Sequence, residues 1–385
     1  MRIRIVYSDY LVDLVARAEA VSARLARAAP TSLAAVAAMS RRQAARLSAR
    51  LDGSPLSDQT ADAVDAGAVM GTGAPPAWEN PSMTSGLLAA GSSSASPHRP
   101  ASMHGGWARA LRLDGLPTQD IAAAEYTNLL ACFDAEEAIA ADFFDHPRAA
   151  LATLHRLICD GLVPPEVVGT PRVTDQAVHD GAQGRMIYRA PAPRAIPGLM
   201  DGLVGWLGRR SAPLPTLVVA GVVHERLLEW QPFEAANGRL ARAASRVVLR
   251  ARGLDPWGIS VPEREFCADP IGYYAEVAAT ARRGDLGLWL ERFCEAALAA
   301  LERAEQAVDP RPRPPVPARA RAVIDSLGAG ETVTIAEYAE RVGTSCNTAR
   351  SDLRALARAG LVVADPGTQG LRYRRCVDDG EHSDE

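Results

Sequence analysis

The segment Trp230–Arg242 reads WQPFEAANGRLAR, and its residue types suit the binding of an anion. Pro232 and Phe233 end the preceding helix, because proline cannot continue the backbone hydrogen-bond ladder. Asn237 suits a helix N-cap, and Gly238 lets the backbone approach a bound group. At about 100° per residue, Arg239, Arg242, Arg246 and Arg250 share one face of the helix that follows, and Leu240, Ala244, Val247 and Val248 share another. Free N–H groups at the helix start and guanidinium groups beside them make a phosphate-type site. An ordinary N-capped helix with a solvated arginine face has the same spacing, so the motif alone leaves both readings open.

The rest of the chain narrows the chemistry. None of the 385 residues is lysine, so all 42 basic residues are arginine. That excludes P-loop nucleoside triphosphatases, protein kinases and Schiff-base enzymes, each of which needs a lysine. The cysteines at 132, 159, 267, 294, 346 and 376 form no CxxC pair, and the seven histidines form no HExxH pattern, so no metal site is expected. The cysteines read as buried thiols of a reducing compartment. A net charge of −4 makes no whole-chain case for nucleic acid, and any basic surface must be local. No apolar run is long enough for a bilayer and the amino terminus is a poor signal peptide, so the expectation is a cytoplasmic protein without a membrane partner.

These residues must be positioned by helices. Residues 1–70 form an N-terminal helical region, with Ala18, Val21, Leu25 and Ala28 on one stripe and a second helix over Met39–Leu51. Residues 71–106 are a Gly/Ser/Pro-rich linker. Residues 107–308 are dominated by helical patterns at 120–145, 148–160, 196–209, 214–230, 237–252, 270–282 and 286–307, interrupted at 162–195 by a hairpin or extended flap. Residues 309–317 are a proline-stiffened linker, 318–376 a compact C-terminal unit and 377–385 an acidic tail. The fold class is mainly α.

The order from HERLLEWQPF to NGRLAR resembles the Fic (Fido) family, whose motif is written HPFx(D/E)(G/A)NGRxxR. The likeness spans roughly residues 150–300, taking in LATLHRLICDGL, GRMIYRAPAPRAIPGLMDGL and RRGDLGLWLERFCEAAL. It implies a Fic-type helical bundle with a β-hairpin flap and the transfer of AMP from ATP to a protein hydroxyl. By resemblance, Asn237 and Arg239 hold nucleotide phosphates, Gly238 adds a backbone contact and Arg242 a further charge. The flap around 185–193 aligns a target protein by strand addition.

Two positions depart from that pattern. The family's catalytic histidine falls at Gln231, whose amide cannot take a proton near neutral pH. Its magnesium-binding acid falls at Ala235, with Glu234 one residue off, which makes Mg2+ doubtful. His224, two helical turns earlier, reads as a packed residue. The family also has an inhibitory helix, (S/T)xxxE(G/N), whose glutamate pairs with the nucleotide-binding arginine. SARLDG supplies Ser48, Asp52 and Gly53 in similar positions, and ALRLDG at 110–115 is a weaker echo. A helix closed by an Asp-Gly stop accounts for both equally well.

Residues 318–376 read as helix, helix opening at Thr334, turn at Gly343, helix from Ser345 to Ala359, then LVVAD and GLRYRR around a Pro-Gly turn. This resembles a winged helix-turn-helix. Ser345, Asn347, Thr348, Arg350, Ser351 and Arg354 fall on the exposed side of the third helix as DNA contacts, with Arg372, Arg374 and Arg375 in the wing. The unit holds nine arginines against six acidic residues. Protein contact or dimerisation is the alternative use of such a unit, and a homodimer stays open.

Three functions follow. One is a catalytically impaired regulator that binds ATP, another nucleotide or another phosphate ligand and is coupled to DNA binding. The second is an active protein adenylyltransferase or related transferase. The third is a protein-interaction scaffold. Gln231 and Ala235 weigh against the second, and the intact Asn237-Gly238-Arg239 with Arg242 against the third.

Overall fold

A computed structural model of the chain describes residues 3–67, 118–179, 186–308, 318–325, 327, 331–358, 362–367 and 370–375. The linkers at 71–106 and 309–317, the ALRLDG segment, the tip of the flap and the acidic tail lie outside the described residues. The chain divides into two compact units, Met1–Asp309 and Pro310–Glu385.

The first unit is helical. Helix α1 (Asp9–Leu25) starts where the Ser8 hydroxyl accepts from the Leu11 N–H at 3.0 Å, and it buries Leu11, Leu14, Ala18, Val21 and Leu25. It stops at Leu25, so Ala28 lies past the expected stripe. Helix α2 (Pro30–Leu51) takes proline in its first turn and ends at Asp52, with Gly53 at φ 78° carrying the reversal. Helix α3 (Asp58–Asp65) follows. The expected 120–145 helix is two, α4 (Thr118–Asp134) and α5 (Glu136–Asp142), and α6 (Pro147–Cys159) comes next. Tyr126 on α4 donates to Asp65 at 2.8 Å, which fastens α4 to the end of α3.

The flap is a short antiparallel pair, β1 (Ala177–His179) and β2 (Met186–Arg189), with Val178 opposite Tyr188. Helices α7 (Ile196–Arg209), α8 (Thr216–Trp230), α9 (Asn237–Ala251), α10 (Glu263–Ala268), α11 (Pro270–Arg283) and α12 (Gly287–Val308) complete the unit. At its centre α8 packs on α9, and both are buried almost throughout. A β-carbon on Gly221 of α8 would stand 2.7 Å from the Leu290 side chain, so glycine there lets α12 close on α8. Helix α1 packs on α12, and α2 packs on α4 and α10. The N-terminal helices therefore share one core with the later ones.

The second unit has helix α13 (Ala318–Asp325), strand β3 (Thr332–Thr334), helices α14 (Ile335–Val342) and α15 (Cys346–Arg358), and strands β4 (Val362–Gly367) and β5 (Gly370–Arg375). Thr334 and Glu337 form a capping box at the start of α14, and Gly343 at φ 65° ends it. Strand order is β3-β5-β4, antiparallel. Strand β4 runs through Pro366 and Gly367, paired with Leu371 and Gly370, so the expected Pro-Gly turn is strand and the reversal falls outside the described residues. Ala320, Leu327, Val333, Tyr338, Leu353, Leu356, Val362 and Tyr373 make a core of their own.

Among the described residues no helix is long and apolar enough to cross a membrane. Of the described cysteines, 132, 159 and 294 are buried, but Cys346 is exposed at the start of α15, unlike the buried thiol expected there.

Candidate functional site

The loop between α8 and α9 builds the site. Gln231 (φ 46°) and Ala236 (φ 57°) both adopt the left-handed conformation that non-glycine residues avoid, so a tight turn is held against local strain. Helix α9 begins at Asn237 with Ala236 as its cap residue, one position before the cap expected at Asn237. The Asn237 side chain instead closes the loop: its Oδ1 accepts from the Phe233 N–H at 2.9 Å and its Nδ2 donates to the Phe233 carbonyl at 2.8 Å. Both ends of the amide are thus used inside the protein, and Asn237 shapes the cradle from beneath.

Two further buried side chains hold the loop, and neither carries a sequence pattern that singles it out. His155 of α6 accepts the Gly169 N–H at Nδ1 (2.9 Å), so its Nε2 carries the proton and faces the Ala235 carbonyl at 3.2 Å. Its ring stacks on Phe233, and burial lowers its pKa to about 4 against the favourable carbonyl contact. Arg172, 2% exposed, donates to the carbonyls of Gln231 and Thr174 at 2.6 Å, Pro191 at 2.5 Å and Trp230 at 3.2 Å. It ties the chain before and after the flap to the motif, and burial lowers its pKa.

Beside Asn237, the helix N-terminus meets the end of α2. The Arg239 N–H donates to Asp52 Oδ2 at 3.1 Å, so the cap of α9 comes from a residue 187 positions away. Arg242 Nη2 donates to Asp52 Oδ1 at 2.8 Å and to the Ser48 carbonyl at 2.9 Å, and its Nε donates to Ser48 Oγ at 2.7 Å. The Tyr274 hydroxyl lies 3.2 Å from the same Oδ1. Burial alone would lower the pKa of Arg242, but the Asp52 carboxylate raises it overall, so the cation is fixed. A β-carbon on Gly238 would stand 2.4 Å from Asp52 Oδ1, which is why glycine is required for this approach. The structure therefore brings Ser48, Asp52, Gly238, Arg239 and Arg242 together, and Gly53 serves to end α2.

The arginines are not a solvated face. Arg239, Arg242 and Arg246 are at most 4% exposed. Arg246 pairs with Glu136 at 2.7 Å, Arg250 with Glu137 at 2.9 Å, and Arg239 Nη2 stands 3.2 Å from Glu125 Oε1. Three guanidinium nitrogens of the cradle arginines, Arg239 Nε and Nη1 and Arg242 Nη1, are buried without a hydrogen-bond partner, and Arg239 Nε stands 3.6 Å from Asp52 Oδ2. Orphan cationic donors at a helix N-terminus fit a phosphate group. Glu125 escaped the sequence reading, its only signal being a lone acid in the apolar run IAAAEY.

Magnesium fits less well. Ala235 offers no ligand, and Glu234 is turned to the loop before the flap, accepting from the Val173 and Thr174 N–H groups at 2.7 and 3.2 Å and from the Thr174 hydroxyl. Among the described residues no group of three or more His, Cys, Asp or Glu could hold a metal ion. Gln231 Nε2 donates to the Leu228 carbonyl at 2.7 Å, which also accepts from the Tyr188 hydroxyl of β2 at 2.6 Å. His224 is buried between Ser245 Oγ (3.2 Å) and the Tyr273 hydroxyl (2.6 Å), away from the motif's loop.

Residues 145–249, which hold α6, the flap, α7, α8 and all but the last two residues of α9, match the Fic/DOC family. The chain carries a Fic/DOC domain. The fold is similar to that of a Fic family protein from Desulfovibrio desulfuricans G20, with a TM-score of 0.58 and 18% identity over 99% of this chain and 100% of that one. It is also similar to Fic-1 from C. elegans, with a TM-score of 0.54 and 16% identity over 78% of this chain and 74% of that one. No curated protein matches the sequence. The Fic domain's motif thus sits where α2, outside the matched stretch, delivers a carboxylate into it.

In the second unit, Ser345, Asn347, Arg350 and Arg354 are exposed and Thr348 is half-buried. Ser345 caps α15, accepting from the Thr348 N–H at 3.2 Å, and Arg350 Nη1 donates to Asn347 Oδ1 at 3.1 Å. Arg374 is exposed on β5, the central strand, which pairs with β3 on one side and β4 on the other. Arg372 is half-buried and committed to Glu337 at 3.3 Å.

Proposed function

We propose that the protein is a phosphate-ligand or nucleotide sensor built on a Fic domain, impaired in catalysis and coupled to DNA binding through its C-terminal unit. The observation that carries this reading is the Asp52 carboxylate, which takes the Arg239 N–H and Arg242 together. A carboxylate and a phosphate ask for the same donors, so Asp52 stands in for a ligand's oxyanion and competes with it. Ser48 and Asp52 then act as the inhibitory helix. Nucleotidyl transfer is disfavoured because Gln231 is no base and neither Ala235 nor Glu234 is available to a metal.

The C-terminal unit supports the coupled half of the reading. Its exposed α15 face, with Asn347, Arg350 and Arg354, offers an amide for a base edge and guanidiniums for phosphates. We read the unit as a winged helix-turn-helix on that basis.

The test is calorimetric titration of the full chain and of Asp52→Ala with ATP, with and without magnesium. The expected result is weak binding by the wild type, at least tenfold tighter binding by Asp52→Ala, and little dependence on magnesium. Absence of binding by both would remove the phosphate-site reading.

A further inference from the structure

The cradle holds a second internal carboxylate, and it differs in kind from Asp52. Asp52 lies at the end of a helix with its side chain 15% exposed, so it can withdraw through a small movement of the α2 terminus. Glu125 lies within α4 with its side chain 2% exposed, against an Arg239 side chain 3% exposed. Removing one partner of such a pair strands a buried charge, so Glu125 is the permanent counterion of Arg239.

Counting charges shows what this does. Arg239 pairs with Glu125 and Asp52, and Arg242 with Asp52, while buried Glu263 also lies within electrostatic reach of Arg242. When Asp52 withdraws, the site becomes more positive by one charge, beside the roughly half positive charge of the start of α9. The donors then freed or already unpartnered are the Arg239 N–H, Arg239 Nε and Nη1, and Arg242 Nη1 and Nη2. Arg239 Nε already stands 3.6 Å from Asp52 Oδ2, so it borders the space the carboxylate leaves. Of these, the Arg239 N–H, Arg239 Nε and Arg242 Nη2 touch or border Asp52, and three donors match the three oxygens of one phosphoryl group. Further phosphates would bring negative charge to a site whose second cation is already neutralised and whose metal position is an alanine.

Resting on the phosphate-site reading above, we propose that Glu125 is a specificity-determining residue: it restricts the cradle to a single phosphate group, as in a nucleoside monophosphate or another phosphomonoester. Arg239 keeps its donors, but its charge is spent on Glu125. Extra phosphates on a ligand therefore add nothing to affinity.

The experiment titrates the full-length Asp52→Ala chain with inorganic phosphate, AMP, ADP and ATP, all free of magnesium, and repeats the series in Asp52→Ala/Glu125→Gln. With Glu125 present, AMP, ADP and ATP should bind within about threefold of one another. In the double variant ATP should gain at least tenfold over AMP, because an uncompensated guanidinium then favours the more highly charged ligand. Inorganic phosphate binding as tightly as AMP would mean that a phosphate group alone is read; tighter AMP adds a nucleoside contact, and either result supports the single-phosphate limit. ATP at least tenfold tighter than AMP in Asp52→Ala, with Glu125 intact, overturns the proposal. That arm needs no change at Glu125, so it decides even if the double variant does not fold. Failure of every ligand to bind Asp52→Ala would instead sink the phosphate-site reading itself.

Discussion

Asp52 Oδ2 accepts the backbone N–H of Arg239 at 3.1 Å while its Oδ1 accepts from Arg242 at 2.8 Å, so one carboxylate spans the helix terminus and the guanidinium one turn further on. A phosphate group would have to make the same two contacts. Any ligand that used these two donors would have to displace a side chain of the protein itself.

Gly238→Ala tests how closely that carboxylate approaches. The new methyl would meet Asp52 Oδ1 at 2.4 Å, so Asp52 must leave and α9 loses its cap. The expected cost is about 1–2 kcal/mol in chemical denaturation, the range for a lost N-cap. Because the methyl fills the cradle, Gly238→Ala/Asp52→Ala should also bind phosphate ligands at least tenfold more weakly than Asp52→Ala. Equal affinities would mean that the ligand site lies elsewhere.

AMP transfer by the wild type should be undetectable or very slow, because the loss of a general base costs about 10²–10⁴-fold. Labelled ATP incubated with protein and cell lysate reads this directly. Robust labelling that Gln231→Ala abolishes would establish an active transferase, whereas activity gained by Gln231→His/Ala235→Asp would mark a lapsed one.

His155 makes stability depend on pH in a defined direction. Its folded pKa is about 4, below the ordinary 6.5, so between these values the unfolded chain binds more protons. Its contribution is complete above pH 6.5 and is lost as pH falls toward 4, by about 1.4 kcal/mol per unit and ~3 kcal/mol in all. His155→Gln lacks this term, so its deficit relative to wild type should shrink as pH drops through that window. Parallel stability curves for the two proteins would show that the imidazole already takes up a proton in the folded state.

DNA binding by the full chain should weaken steeply with salt. Arg350→Ala should flatten the salt slope by about one unit if it contacts a phosphate, and Asn347→Ala should relax sequence preference. Arg372→Ala should leave the slope unchanged, since that side chain is held by Glu337. Anisotropy titration against the protein's own promoter region measures all three. No binding even at low salt would make the unit a protein-contact module.

Whatever is carried by neighbours in the chain was legible in the amino-acid order. The helices of the first unit follow from apolar spacing, proline and Ser or Asp caps, which act within a few residues, and the anion motif lies in one contiguous stretch for the same reason. That Gln231 carries no titratable group and Ala235 no metal ligand was equally plain, because residue identity alone decides it. Side-chain direction was not. Asn237 reads as a cap and turns out to lock Phe233, since the left-handed Ala236 shifts the helix start by one position. Glu234 sits one residue from Ala235 yet turns to the chain before the flap, where it accepts from the Val173 N–H. Arg372 belongs to a central strand because β5 inserts between β3 and β4, an order that no local pattern encodes. Above all, the SARLDG segment suits an Asp-Gly helix stop and an inhibitory acid equally well. Only the packing of α2 and α4 around α9 carries Asp52 and Glu125 to the two arginines, because burying a guanidinium requires a counter-charge from wherever the fold can bring one.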